Sequence, residues 1–303
     1  MSLDSREKIG QKEEPEMIYL SQFIFPSIGA EENFLHLIRE TCFTTVYPFQ
    51  VLTKHGVHHL DFDEPITILY GGNGSGKTTA LNVIAEKLGL QRDTLYNRTN
   101  FFGDFVDLCE AVPTRTISKD SRIITSDDVF DFMLNLRSLN EGIDGKREEL
   151  FENYYENKHS DFQLQSLEDY EQLMKVNLAR SKSKSQYVKR QLKNNVREHS
   201  NGESAYLYFT NKIQENALYL LDEPENSLSP ERQQELVKFI EDSVRFFGCQ
   251  FILATHSPFL LSMKNAKVYD LDAAPMQVRH WTELPNVRAY YDFFHAHEDA
   301  FNR

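Results

Sequence analysis

The sequence predicts an α/β fold with a mainly parallel, doubly wound sheet, and three observations predict it. Short apolar runs recur at Ile66–Tyr70, Ala217–Leu221 and Gln250–Ala254, each the length of a buried central strand. Each run ends in a turn whose residues suit polar chemistry. A well-marked amphipathic helix separates the second and third runs, as a sheet with covered faces requires.

The first run leads into Gly71-Gly72-Asn73-Gly74-Ser75-Gly76-Lys77-Thr78, which fits the phosphate-binding pattern G-x-x-x-x-G-K-[ST] in full. The next residues, Thr79 to Leu88, read as a helix closed by Gly89. Glycines let backbone N–H groups curl around an anion, and the helix N-terminus adds partial positive charge. Lys77 is expected to reach the β- and γ-phosphates of a nucleotide, Thr78 to offer its hydroxyl to Mg²⁺, and Thr79 to extend the loop's contacts.

The second run ends in Asp222-Glu223-Pro224-Glu225. A carboxylate at the tip of a buried strand beside a phosphate loop suits Mg²⁺, so Asp222 is the second expected metal residue. Glu223 is placed to polarise an attacking water as general base. The third run leads to Thr255-His256-Ser257-Pro258, putting His256 at a third strand end. Ligands of open α/β sheets bind outside the carboxyl ends of strands, so Lys77, Asp222, Glu223 and His256 should converge on one edge. The intervening helix has Ser229 as N-cap, Pro230 at its first position and Gly248 after its end. Leu236, Val237, Phe239, Ile240, Val244 and Phe247 should face the sheet.

These residues together resemble the ATP-binding-cassette ATPases. The likeness is to the soluble branch that includes repair and chromosome-maintenance ATPases and the overcoming-lysogenization-defect proteins. Asp222-Glu223-Pro224-Glu225-Asn226-Ser227-Leu228-Ser229-Pro230 is similar to that branch's D-E-P-E-x-x-L-x-P, and Ala254–Pro258 to its switch-histidine segment. The resemblance covers most of residues 17–270. It implies a P-loop ATPase head that binds ATP and Mg²⁺, hydrolyses ATP with Lys77, Glu223 and His256, and forms a homodimer on ATP binding.

It also implies a signature segment before the second strand, for which Ser200-Asn201-Gly202-Glu203 is the candidate. By its own chemistry Ser200 with Glu203 reads as a capping box opening a helix. In the family such a segment faces the γ-phosphate held by the other protomer, and Asn226–Ser229 would map to a dimer-facing loop. The family's glutamine loop has no glutamine here. Arg122–Thr125 reads as its strand, and two readings of the following residues stand: Asp127 or Asp128 faces the metal, or Ser126 caps the helix of Val129–Leu134. Tyr47 and Phe49 are upstream aromatics for which adenine stacking and core packing are both open.

Composition bounds the rest. With 303 residues and a 40% hydrophobic fraction, the chain can bury a substantial core. No apolar run approaches the ~20 residues that a membrane helix needs, and no signal-peptide core is present. Cys42, Cys109 and Cys249 lack metal-ligand spacing, which points to a cytoplasmic protein. His58, His59, His295 and His297 read as surface residues. Residues 1–16 read as a disordered leader, 17–140 and 200–303 as the ATPase core, and 141–199 as a short helical insertion. That insertion is far shorter than a chromosome-maintenance arm, and little chain follows Asp222. The expectation is the ATPase module alone, with any second activity on another chain.

The net charge is −13, yet no acidic residue falls between Glu171 and Glu198. Lys175, Arg180, Lys182, Lys184, Lys189, Arg190, Lys193 and Arg197 make residues 175–197 a basic run. It is a candidate for a nucleic-acid backbone, with a solvated helix face or docking on an acidic partner as competing readings. Three functions follow as expectations. The first is an ATP-driven dimerising switch acting on nucleic acid or with a nuclease or toxin partner, in DNA repair, mobile-element or anti-phage defence. The others are the ATPase subunit of a membrane transporter and a nucleotide sensor with little turnover.

Overall fold

A computed structural model describes residues 18–38, 43, 45–160, 162, 169–192 and 201–302, with the backbone alone at 201. The expected leader therefore lies outside the described residues, as do Cys42, Ser200, Lys193 and Arg197. Contacts divide the chain into two compact units, residues 1–129 with 205–303 and residues 130–204.

In the larger unit the strands are β1 (Leu20–Ile24), β2 (His59–Asp61), β3 (Ile66–Tyr70), β4 (Glu110–Pro113), β5 (Arg122–Thr125), β6 (Leu218–Asp222), β7 (Gln250–Ala254), β8 (Ala266–Asp270) and β9 (Gln277–Val278). One sheet has the order β5-β6-β7-β3-β8-β9. It is parallel except for β9, which runs antiparallel to β8. Every residue of β3, β6 and β7 is buried, which explains why their sequences are unbroken apolar runs rather than alternating ones. The register pairs Asp222 with Ala254 and Leu69 with Ala254, so the three central strands end level.

A second sheet, antiparallel and ordered β2-β1-β4, is stitched to the first by side chains from β7 and β8, among them Gln250 and Tyr269. The Tyr269 hydroxyl accepts the Asp61 N–H and donates to the Asp61 carbonyl, both at 3.0 Å. The buried Gln250 amide accepts the Tyr19 and Leu20 N–H groups at 2.7 and 2.9 Å and donates to the Leu20 carbonyl at 2.9 Å. An amide has the donors and acceptors to serve both backbone groups at once, so its burial leaves none of these groups unpaired.

Helix α1 is Ile28–Leu37, α2 is Lys77–Leu88, α3 is Phe102–Leu108 and α4 is Ser126–Lys158. The helix cap expected at Ser126 is Thr125 instead. Thr125 donates its N–H to Asp128 Oδ2 at 2.6 Å, while Asp128 N–H reaches Thr125 Oγ1 at 3.4 Å. A carboxylate three residues after a threonine makes a reciprocal cap, and Ser126 becomes the first helical residue. The domain boundary expected at 140/141 falls inside the unbroken α4.

Within the smaller unit, α5 (Tyr170–Ser181) and α6 (Lys184–Gln191) join α4 around Leu150, Tyr154, Ala179, Tyr187 and Val188. Helix α7 is Asn201–Lys212, α8 is Pro230–Phe247, α9 is Pro258–Leu261 and α10 is Pro285–Ala296. Ser229 caps α8 by accepting the Arg232 N–H, and Gly248 closes it in the left-handed conformation, as the sequence predicts. Of the six apolar residues expected to face the sheet, only Leu236 and Ile240 are fully buried. Ser243 takes the next buried position, and Phe247, in the last turn, is 44% exposed.

Candidate active site

The phosphate loop joins β3 to α2. Gly76 is the N-cap of α2 at φ 94°, and a Cβ there would meet Leu52 at 2.8 Å, so the sequence needs glycine for both conformation and space. Lys77 folds back over the loop, its Nζ donating to the carbonyls of Gly71 at 2.6 Å and Gly72 at 3.1 Å. Burial holds its ammonium below the usual lysine range. The Ser75 hydroxyl is buried without a hydrogen-bond partner among the described residues. A cationic lysine, an unused buried hydroxyl and a helix N-terminus form a cradle suited to phosphate.

Thr78 donates its hydroxyl to Asp222 Oδ1 at 3.1 Å, so the two residues expected at the metal meet directly. Asp222 is 8% exposed. Burial pushes its pKa up to about 6, against the hydrogen bond from Thr78. A carboxylate that ionises at this cost, beside a threonine hydroxyl, is a donor set that fits Mg²⁺. Among the described residues no three His, Cys, Asp or Glu side chains gather into a metal cluster.

Glu223 follows at φ 48° and ψ 53°, a left-handed conformation that costs a non-glycine residue energy. It is fixed there because its N–H donates to the Ala254 carbonyl at 2.8 Å. Its carboxylate has two neighbours. The Asn226 amide donates to Oε2 at 2.9 Å, and His256 Nε2 lies 3.8 Å from Oε1. His256 Nε2 is buried and without a hydrogen-bond partner among the described residues. The convergence of Lys77, Asp222, Glu223 and His256 expected from three strand ends is therefore what the sheet order delivers.

Two side chains that sequence reasoning gave no role hold this arrangement. Glu225 Oε1 accepts the Thr255 hydroxyl at 2.7 Å, the His256 N–H at 2.7 Å and the Ser257 N–H at 3.2 Å. Asn286, at the start of α10, donates Nδ2 to the His256 carbonyl at 2.9 Å. Glu225 lay inside the quoted D-E-P-E run, and that position was its only signal. Nothing in the sequence pointed to Asn286.

The remaining expected residues fall as follows. Asn73, Gly74 and Thr78 are exposed on the loop, and the Thr79 hydroxyl lies 3.1 Å from that of Tyr47. Phe49 is core, stacked on Phe34 with ring centres 4.8 Å apart, which leaves Tyr47 as the upstream aromatic near the loop. Gly202 and Glu203 lie in the first turn of α7. Farther along that helix, Tyr208 and Lys212 both donate to Asp93, at 2.8 and 2.5 Å. In the basic segment Lys175, Lys182, Lys189 and Arg190 are exposed and make no ion pair among the described residues. Arg180 donates to the Ser160 carbonyl at 2.5 Å, and Lys184 sits 4.0 Å from the centre of the Phe151 ring. His58, His59, His295 and His297 are exposed. Among the described residues no helix is long and apolar enough to cross a membrane.

Residues 62–226, more than half of the chain, match the family model described as ABC transporter. The chain therefore belongs to the ATP-binding-cassette family, whose P-loop ATPase fold the parallel sheet displays. Residues 197–262 also match an AAA-domain family model whose description names the AbiEii toxin and type IV TA systems. Among solved structures, the Smc head domain of Pyrococcus furiosus is 14% identical over 73% of this chain and 91% of its own, with a TM-score of 0.39. A nucleotide-free ATP-binding cassette from an ABC transporter is 14% identical over 77% and 90%, with a TM-score of 0.38. A dimeric bacterial ABC transporter cassette is 15% identical over 71% and 85%, with a TM-score of 0.35. Among curated proteins, none matches the chain.

Proposed function

We propose that this chain is an ATP-hydrolysing switch that pairs with a second copy around two ATP-Mg²⁺ and acts on nucleic acid or through a separate effector protein. The observation that carries the ATPase reading is the closed set at the strand ends, where Thr78 meets Asp222 and Glu223 faces His256. Thr78 and Asp222 would hold Mg²⁺, which supplies charge neutralisation on the phosphate oxygens. Lys77 exchanges two loop carbonyls for phosphate oxygens. Glu223 takes a proton from water. His256, whose Nε2 is free, donates toward charge that develops beside Glu223.

In the pair, Ser200–Glu203 of each copy faces the other's phosphate loop, and Asn226–Ser229 lies at the seam. DNA repair, mobile-element functions and anti-phage defence are the contexts this reading suggests, supported by the basic segment and by the AAA-domain match. The basic chemistry is tested by steady-state phosphate release from purified protein with ATP and Mg²⁺. Turnover that needs Lys77 and Glu223 supports the reading, and turnover indifferent to both sinks it.

A further inference from the structure

The peptide joining Gly71 to Gly72 is held from both ends. Its carbonyl accepts Lys77 Nζ at 2.6 Å, and its N–H donates to Asp272 Oδ2 at 2.6 Å. Asp272 comes from the turn after β8, 200 residues away in sequence. That turn is fastened to the strand that carries the phosphate loop. Leu271 N–H donates to the Tyr70 carbonyl at 2.8 Å, and Asp272 N–H donates to Asp270 Oδ1 at 3.1 Å. Asp270 is buried, and its other oxygen lies 3.3 Å from Arg279 Nη1.

A glycine–glycine peptide is the easiest kind to flip, because neither residue has a Cβ to restrict φ or ψ. A flip would turn the Gly71 carbonyl away from Lys77 and the Gly72 N–H toward it, which would place a donor against a cation. Lys77 alone cannot hold this peptide once it leaves to meet phosphate. Asp272 can, because its contact is with the N–H, which points from the opposite edge of the same plane as the carbonyl. Its charge works the other way, since an exposed carboxylate near Lys77 opposes an incoming polyanion. The hydrogen bond and the charge therefore have opposite signs and can be separated.

We infer that Asp272 is a positioning residue of the nucleotide site: it keeps the Gly71–Gly72 peptide oriented for phosphate binding when Lys77 is released from it. This rests on the ATPase reading above. Asparagine keeps an acceptor oxygen and removes the charge, whereas alanine removes both.

The test is calorimetric titration of ATP into the chain and its Asp272→Asn and Asp272→Ala variants, with steady-state kinetics and thermal melting alongside. Asp272→Asn is expected to bind ATP as well as the unaltered chain or up to about threefold more tightly, as loss of one solvent-exposed like charge implies. Asp272→Ala is expected to bind about tenfold more weakly, the loss of one charge-assisted hydrogen bond. That loss should appear in KM, with kcat at saturating ATP little changed and the melting temperature retained. Normal ATP binding by Asp272→Ala, or equal loss in both variants, would overturn the inference alone. Absence of ATP binding by the unaltered chain would sink the ATPase reading and this inference with it.

Discussion

The carboxylate of Glu223 and the imidazole of His256 face each other across 3.8 Å, one from the end of β6 and the other from the end of β7. The neighbouring strands fix this separation, since Glu223 N–H is bonded to the Ala254 carbonyl two residues before His256. A carboxylate held in a left-handed backbone conformation and steadied by Asn226 has a fixed orientation, which is what the proposed role as general base requires.

Glu223→Gln should therefore bind ATP normally and turn it over at least about a hundredfold more slowly, the usual range for loss of a general base. Lys77→Ala should lose ATP binding itself. Equilibrium binding and single-turnover hydrolysis on both variants separate the two effects. Fast hydrolysis by Glu223→Gln would remove Glu223 from its assigned role.

Glu225 should matter through the backbone it holds. Replacing it by alanine strips a shared acceptor from Thr255, His256 and Ser257, at a cost of about 1–3 kcal/mol in stability. Turnover should fall with it as His256 loses its fixed place. Glu225→Gln keeps an acceptor oxygen and should recover most of both. Chemical denaturation and kcat for the two variants check this, and an alanine variant as active as the unaltered chain would refute it.

Asp222 makes stability depend on pH in a direction opposite to most carboxylates. Its folded pKa, about 6, lies above the ordinary 3.8. Between these values the folded protein keeps a proton that the unfolded chain has released. The contribution of this group to stability is therefore fully present below about pH 4 and is lost as pH rises through about 6, a difference of roughly 3 kcal/mol from Asp222 alone. Asp222→Asn removes the ionisation. In EDTA it should be more stable than the unaltered chain at pH 7.5, with the gap closing toward pH 4. Urea denaturation across that range measures it, and a gap independent of pH would be inconsistent with a buried, ionising Asp222.

Strands β3, β6 and β7 and the phosphate loop are legible because fully buried parallel strands are continuous apolar runs, and because the glycine-rich loop, Asp222 and Thr255-His256 each follow one. By contrast β1 and β8 are only partly buried, β9 is exposed, and none of the three carries such a run. The cap of α4 was misplaced by one residue because Asp128, rather than Glu or Gln, completes the box with Thr125. Spacing alone places Phe247 on the buried face, but Ser243 occupies the inner position near that end, and its hydroxyl bonds the Phe239 carbonyl at 2.7 Å. Asn286 and Asp272 could not be read at all. Each acts on one backbone group of an element far away in sequence, and such single hydrogen bonds leave no periodic or compositional trace.

Pairing around nucleotide should be visible when hydrolysis is blocked. Sedimentation of Glu223→Gln with ATP and Mg²⁺ should show a two-chain species, and adding Ser200→Arg should weaken it by placing bulk where the partner's phosphate loop is expected. A single-chain species at all concentrations would remove the proposed two-site closure.

The basic segment gives the most conditional expectation, and the exposed, unpaired Lys175, Lys182, Lys189 and Arg190 are the residues on which to test it. Lys184 is better left in place, because its ammonium packs over Phe151 and reaches the Tyr155 hydroxyl at 3.3 Å. If the segment tracks phosphates, replacing the four by glutamate should weaken nucleic-acid binding similarly for all sequences, since phosphate contacts position without specifying. The slope of log affinity against log salt should become shallower by about 3, because each lost contact releases roughly one fewer counterion. ATP turnover without nucleic acid should change little, because the catalytic side chains come from the other compact unit. Fluorescence anisotropy with single- and double-stranded oligonucleotides, at two salt concentrations and with ATP present, measures all of this. Binding that is absent at low salt, or unchanged by the four substitutions, would reassign the segment to docking on an acidic protein.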